Sequence, residues 1–570
     1  MQNDHYQTKR HRGSAPVHQE LEQGFGASPS GHTFVRAVVG ELRSLAHAPV
    51  VSQHKDRRPA WSPRTVKSLC IVFFLFLSPL WLRAQNVAKP DTITPAKGTV
   101  REQLKEVKQE KDTTANEPTK KVLFDSTKYN MYGQLLNDDP LYNPKSSLGM
   151  TALRVTLSNV STFLIDRYIF NYDFSRVGFN SWKHNIQTGW EWDKDRFGMN
   201  YFFHPYSGGM YFNAARANGY SFYESIPFAI LGSVEWEYFG ENTLPSYNDV
   251  INTPVNGIFL GEIFYRLGSN MLDDQSTGVG RVFREFTVAL ITPTRFFSRL
   301  LSGKVFRVTP EEVYQKEPLN TTISAGYHRV NPGTVNEGGT NSLNFNLHLD
   351  YGNPFEKRSR KPFDYFKLRT DVDFGVGRKI IDNVSGYGFL LGGNVQTGNL
   401  EMLLGLFQSM NFFDNPIFEM GTIAFGPGII SKLPISKTAS LYTNLHADIM
   451  PFAGLSGRFG PDTTQIRDYN YGGGAELKLE TTLNLGGWAG ITFMGYYWWF
   501  HTFLGTAGNS YVALVKPRIA FRLFSNVSIG FEHLIYYSDR YPRDFPSVHS
   551  LRTEQKVFLQ IFLEQFKFKQ

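Results

Sequence analysis

From about Asn320 onward, apolar and polar residues alternate with a period of two. In "SLNFNLHLDYG", Leu343, Phe345, Leu347, Leu349 and Tyr351 alternate with Asn344, Asn346, His348 and Asp350. In "FKLRTDVDFGVG", Phe366, Leu368, Val372 and Phe374 alternate with Lys367, Arg369, Asp371 and Asp373. "AELKLETTLNL" sets Leu477, Leu479, Leu483 and Leu485 against Glu476, Lys478, Glu480 and Asn484. Successive strand side chains point to opposite faces, so this period predicts strands with one apolar and one polar face. About a dozen such segments, divided by Gly, Asn, Asp and Pro turns, fit between Thr321 and Phe568. Each has about the 9 to 11 residues that a tilted membrane strand requires.

Alternation alone fits a soluble sandwich as well as an outer-membrane barrel, which turns its apolar face to lipid. Three features favour the barrel: an export signal, aromatic clusters such as "GYYWWFHTF" at 495–503, and the aromatic-rich final segment "KVFLQIFLEQFKFKQ". The expected fold is mainly β, an outer-membrane antiparallel β-barrel of about 12 or more strands over 318–570, with an α-helical insert or plug.

The export signal is "RTVKSLCIVFFLFLSPLWLRAQ". Arg64 and Lys67 give a positive start, Leu69 to Leu80 a short apolar core, and Ala84 a small residue for cleavage. Residues 1–84 read as a non-mature extension plus a cleavable signal peptide over about 64–84, with Val66 a candidate true start. The lone Cys70 lies inside the signal, so the mature chain is expected to have no disulfide, no cysteine nucleophile and no lipoprotein anchor. Net charge is +8, but residues 1–84 hold 11 Lys+Arg against 5 Asp+Glu, which leaves +2 for the rest. No nucleic-acid partner is implied. Residues 85–145, charged and rich in Pro and Thr, read as a disordered periplasmic tether.

Between the tether and the barrel the period changes. Residues 146–205 include an apparent strand hairpin, "WKHNIQTGWEWD" and "DRFGMNYFFHP", with Pro205 ending its second strand. "GGMYFNAARANG" then reads as a short helix stopped by Gly219. Ser221 and Glu224 form a capping box for a second helix running to Gly240, and Ser246 with Asp249 caps a third running to about Leu267. A helical, polar-lined insert is therefore expected over 206–302. Asp249, Asn252, Thr253 and Asn256 share a stripe on the third helix, while Gly257 and Gly261 allow close approach of a neighbour. Glu262 pairs with Arg266 at i, i+4, and Glu237 with Glu241 repeats that spacing. Polar groups this dense are expected to plug or line the barrel or to pack beneath it.

His204, Glu235, Glu237, Asp249 and Glu262 are the acid/base candidates, with Ser207 or Ser246 as a conceivable nucleophile. The competing reading is structural: Ser221 and Ser246 as caps, Arg216 as a carboxylate partner, and Arg216, Ser221, Glu224, Glu241, Ser246, Asn252, Asn256 and Arg266 as one polar network. The insert has no G-x-S-x-G or H-E-x-x-H motif. His328, His446, His501 and His533 sit on different strands without ligand spacing. Neither a metal nor a cofactor is expected.

The pattern His204-Pro205-Tyr206, Gly208, Tyr211, Ala215-Arg216, Ser233, Glu235-Trp236-Glu237, Glu241, Pro245-Ser246, Asp249, Thr253-Pro254, Gly257 and Gly261-Glu262 resembles a family of domains of unknown function. That family is found in Gram-negative envelopes, mainly of Bacteroidota type. The resemblance covers about 150–310 and implies export and an envelope location; the barrel pattern adds an expected outer-membrane location, with outer-membrane lipid and the barrel-assembly machinery as partners. It implies no activity. The expected function is a non-enzymatic barrel with a helical plug, serving passage, assembly or anchoring. The alternative is a barrel-embedded enzyme acting on phospholipid or lipid A, with its site in the insert.

Overall fold

The computed structural model describes residues 128–564 except 132, 332–338, 376–379, 416, 418 and 457–468. The extension and signal expected over 1–84, and residues 85–127 of the expected tether, lie outside the described residues. Twelve antiparallel strands close into a barrel: β1 (Leu319–Asn331), β2 (Thr340–Tyr351), β3 (Phe366–Phe374), β4 (Ile381–Thr397), β5 (Leu400–Asp414), β6 (Glu419–Pro434), β7 (Ala439–Ser456), β8 (Tyr469–Leu485), β9 (Ala489–Leu504), β10 (Gly508–Phe524), β11 (Val527–Pro542) and β12 (Val548–Leu563). Each strand pairs with the next, and β1 closes on β12 through Tyr327 opposite Val557.

Contacts across the barrel interior, the Arg369–Glu480, Asn411–Glu476 and His328–Asp373 ones between strands that are not neighbours, show which face is the lumen. Arg369 of β3 grips Glu480 of β8, with Nη2 at 2.7 Å from Oε2. Asn411 of β5 donates to Glu476 of β8 at 2.8 Å, as does the Trp498 indole of β9. His328 of β1 sits between Asp373 of β3 at 2.8 Å and Glu554 of β12 at 3.1 Å. The polar half of the alternation therefore points inward and fills the lumen with paired charges. On β9, β11 and β12 the other half, such as Phe493, Tyr497, Phe531, Val557 and Leu559, is exposed and apolar, a surface that lipid would solvate and water would not.

The helices precede the barrel: α1 (Leu148–Leu164, continued by a wider turn to Phe170), α2 (Phe179–Thr188), α3 (His204–Arg216), α4 (Phe222–Glu235, continued to Gly240), α5 (Tyr247–Met271), α6 (Gly278–Ile291) and α7 (Pro293–Leu301). The caps work as expected. Ser246 Oγ accepts from the Asp249 N–H at 3.3 Å, the Ser221 N–H donates to Glu224 Oε2 at 2.9 Å, and Gly219 ends α3 with φ of 84°.

Some sequence-based expectations fail. The hairpin over 182–205 does not form: residues 179–188 are α2, and Met199–Phe203 is a wide helical turn running directly into α3. Pro205 lies in the first turn of α3. The aromatic spacing that imitated strands serves separate contacts, Trp192 on Phe452 and Phe197 on Phe412. The last part of the expected tether is also ordered. Asp138 accepts from the Gln315 N–H at 2.7 Å and from the Tyr265 hydroxyl at 2.6 Å, fixed polar partners that composition does not reveal.

The helical domain neither plugs the lumen nor lies beneath the barrel; it packs on the outward-facing wall. Leu349, Tyr351, Phe366, Met410, Phe412, Phe452 and Tyr471 alternate with lumen residues, yet they share one buried core with Tyr201, Phe259 and Ile263. Tyr201 lies where a Cβ on Gly421 or Gly454 would stand, at 2.1 and 2.5 Å. Asn256 reaches the Thr422 carbonyl at 3.4 Å, and Gln408 donates to the Val255 carbonyl at 2.9 Å. At its other end α5 is tied by Arg266, which donates to the Pro362 carbonyl at 2.6 Å in the β2–β3 connection.

Within the domain, α3 and α5 meet backbone to backbone. A Cβ on Gly208 would lie 1.8 Å from the Thr253 carbonyl oxygen, and one on Gly257 would lie 2.5 Å from the Gly208 carbonyl carbon. This is the close approach that Gly257 and Gly261 imply in the sequence, and small residues at a helix crossing allow it. Gly257→Val is expected to destabilise the helical domain by about 3 kcal/mol or more through overpacking. Loss of helical signal at a lower temperature, with the barrel's heat-modifiable gel migration unchanged, would check it.

Candidate functional site

A cleft of about 640 Å³ opens between α1 and the α3, α4 and α7 helices. Its walls are apolar, from Leu157, Ile165, Phe170, Phe203, Met210 and Phe297. Its floor is polar, from His204, Glu237, Glu241, Asp195 and Thr253. At the α1 wall stands Arg154, whose Nη1 donates to Ser298 Oγ at 2.5 Å and also to Asn218 Oδ1. Among the described residues no carboxylate makes an ion pair with Arg154. A half-buried guanidinium held by neutral groups at an apolar cleft keeps its charge available for an anion.

The floor is assembled from three elements. Gly208 at the crossing with α5 sets the depth of α3, so His204, one turn earlier, faces the first turn of α5. Its Nε2 lies 3.8 Å from Asp249 Oδ1. Glu237, from the wide turn after α4, is buried and accepts from the Ser246 N–H at 2.7 Å. One ligand atom each from His204, Glu237 and Asp249 all lie within 4.8 Å of one another.

Asp193 completes the surroundings. It accepts from Asn200 at 2.9 Å and from the Ser246 hydroxyl at 3.2 Å. Burial pushes the His204 imidazole down to about 4, with the Asp193 charge opposing, so the ring is neutral at physiological pH. Burial, then the charges of Asp193 and Asp195, hold the Glu237 carboxyl well above the usual range despite the Ser246 N–H.

The other candidates serve packing. Glu235 accepts from Thr156 at 3.0 Å and Asn159 at 3.2 Å, clasping α4 to α1. Glu262 is buried between two arginines, Arg216 Nε at 2.7 Å and Arg266 Nε at 2.8 Å. Glu224 pairs with Lys145 at 2.7 Å on the surface. Asn252 bonds the Asn200 carbonyl and receives Asn256 at 2.9 Å. Ser246 is committed to capping α5 and to Asp193, which removes it as a nucleophile, while Ser207 lines the cleft. Of the expected polar set, only His204, Glu237, Glu241 and Asp249 converge. Arg154 and Asp193 were missed: the first stands alone on an apolar helix, and the second lies in the segment misread as a hairpin.

Fold and cleft together define a barrel of outer-membrane type that carries a polar-floored helical domain on its wall. Residues 189–294 match the model of a domain of unknown function, DUF3943. No curated protein matches the chain in sequence. Among solved structures the chain is similar to a NanC porin, at 8% identity and a TM-score of 0.26 over 43% of this chain and 100% of that one. It is also similar to the outer-membrane channel DcaP of Acinetobacter baumannii, at 9% identity and a TM-score of 0.20 over 43% and 96%. An outer-membrane channel from Pseudomonas putida F1 has 6% identity and a TM-score of 0.25 over 45% and 100%. These are neighbours in barrel architecture alone.

Glu262 and Glu235 separate burial from exposure. Glu262→Gln leaves the Arg216 guanidinium without a counter-charge and Arg266 with Asp364 alone, and is expected to destabilise the domain by about 3–5 kcal/mol. Glu235→Gln, at a half-exposed clasp, is expected to change stability by less than about 1 kcal/mol. Thermal melts in detergent compare the two.

Proposed function

We propose that the protein is an outer-membrane barrel whose working part is the wall-mounted helical domain, which binds an anionic amphiphile of lipid type in the α1 cleft. The observation that carries this reading is the union of apolar walls with the Arg154 guanidinium in one cleft. An acyl chain matches the walls, and an acidic headgroup matches the arginine, which takes phosphate or carboxylate oxygens in its planar fork. The cleft sits among helices whose outer faces are themselves apolar: Leu153, Leu157, Val160 and Leu164 on α1, and Val282, Phe283 and Leu290 on α6, are exposed. The run Leu148–Phe170 is long and apolar enough to cross a membrane. Lipid is the solvent such faces fit, and a lipid ligand would then enter sideways.

Export through the 64–84 signal, insertion by the assembly machinery and an origin in a Bacteroidota-type envelope belong to the same reading. Free passage through the lumen fits less well, because cross-lumen pairs such as Arg369 with Glu480 occupy it. A second reading, lipid modification, is favoured by one observation: His204 and two carboxylates meet at the cleft floor. Purified protein that hydrolyses or transfers acyl or phosphoryl groups of added lipid would put it first.

Binding of dansyl-phosphatidylglycerol in neutral detergent is the direct test. Arg154→Ala is expected to weaken it roughly tenfold to a hundredfold, the loss of one charge-assisted contact, and a zwitterionic dansyl lipid is expected to bind no better than that variant. Equal binding of both lipids by wild type and variant would refute the reading. In planar bilayers the full chain is expected to show no stable conductance step.

A further inference from the structure

We propose that His204, Glu237 and Asp249 form a binding site for one divalent transition-metal cation, a site that goes beyond the amphiphile reading and does not depend on it. The fold gives the first argument. In the helical domain, other deeply buried carboxylates are matched with arginine: Glu262 with Arg216 and Arg266, Asp274 with Arg281, Arg299 and Arg307, and Glu285 with Arg281 and Arg299. Among the described residues, neither Glu237 nor Asp249 has an arginine or lysine in an ion pair, although each is 1% exposed. Two acids buried together without a cation repel and are poorly solvated.

The second argument is an orphaned atom. Asp249 Oδ1 is buried and accepts no hydrogen bond. It faces His204 Nε2 at 3.8 Å, which is beyond hydrogen-bond range. Two donors each ~2.1 Å from one ion stand roughly 3–3.5 Å apart, so the set needs only a slight contraction to share a cation. One imidazole with two carboxylates suits Zn²⁺ or Mn²⁺, whereas Ca²⁺ takes oxygen ligands.

The third argument is access. His204 and Glu237 both line the cleft, so an ion held here keeps one side open to whatever enters, the arrangement of a working site and not of a closed structural one. The backing is also in place: Ser246 fixes Glu237 through its N–H, and the α5 cap fixes Asp249.

The test uses the full chain in detergent, stripped with chelator and then titrated with Zn²⁺ or Mn²⁺ against a chromophoric competitor. One equivalent is expected to bind, with Asp249→Asn and His204→Gln each weakening it roughly 100-fold or more. Heat-modifiable migration together with an unchanged helical thermal melt shows that each variant has folded. Pulsed electron paramagnetic resonance of the Mn²⁺-loaded wild type needs no variant and is expected to show coupling to one imidazole nitrogen. No binding by the wild type, unchanged affinity in folded Asp249→Asn, or a Mn²⁺ signal without nitrogen would each overturn the proposal. Dansyl-lipid binding measured on the same preparations reads the amphiphile site separately, so failure of one reading is distinguishable from failure of the other.

Discussion

The contact on which the helical domain depends is the crossing of α3 and α5, where two backbones touch with no side chain between them. Gly208 lies against Thr253 and Gly257, and Gly209 lies against Gly257 and Gly261. Side chains one turn away on each helix are then brought together by geometry. His204 precedes Gly208 by one turn, and Asp249 precedes Thr253 by one turn, so the crossing holds imidazole and carboxylate face to face. Larger residues at the crossing would separate the helices by several ångströms and dissolve the floor of the cleft.

The barrel and the domain solve one problem in opposite directions. In the barrel, polar side chains point inward and pair across the lumen, and apolar ones point outward. The domain likewise hides its asparagines, arginines and carboxylates and turns Leu, Val and Phe away from the barrel. Each buried charge then needs a specific partner, because no water competes and no charge can be left over. The arginine pairs around Glu262 and Asp274 meet that need, and the His204 floor stands out against them.

How much of this was legible depends on which physical rule governs each part. Twelve strands could be read because period two survives wherever one face is polar. The helices could be read from local chemistry, Ser221 with Glu224, Ser246 with Asp249, and Gly219. The placement of the helices could not. Leu343 and Phe345 are exposed, while Leu349 and Tyr351 of the same strand are buried under helices, and alternation assigns all four to one face without saying what covers it. His204, Glu237 and Asp249 were legible as candidates but not as a group, since they come from three elements. Glu235 and Glu262 were equally plausible by type, and only Arg216 and Arg266 in the structure separate Glu262 from the rest. Aromatic residues at alternate positions over 182–203 imitated strands because their spacing reflects contacts with the barrel and not a local period.

Tyr201 seated over Gly421 and Gly454 has a consequence for the birth of the protein. The helices precede in the chain the strands they rest on, so while the chain folds they first stand with no wall to lie against. The wall itself, with its notches at two glycines, does not exist until β6 and β7 are side by side. Both surfaces are sticky while they wait. Docking of the helices therefore waits on the pairing of β6 with β7, and until then two unlike apolar surfaces stay uncovered.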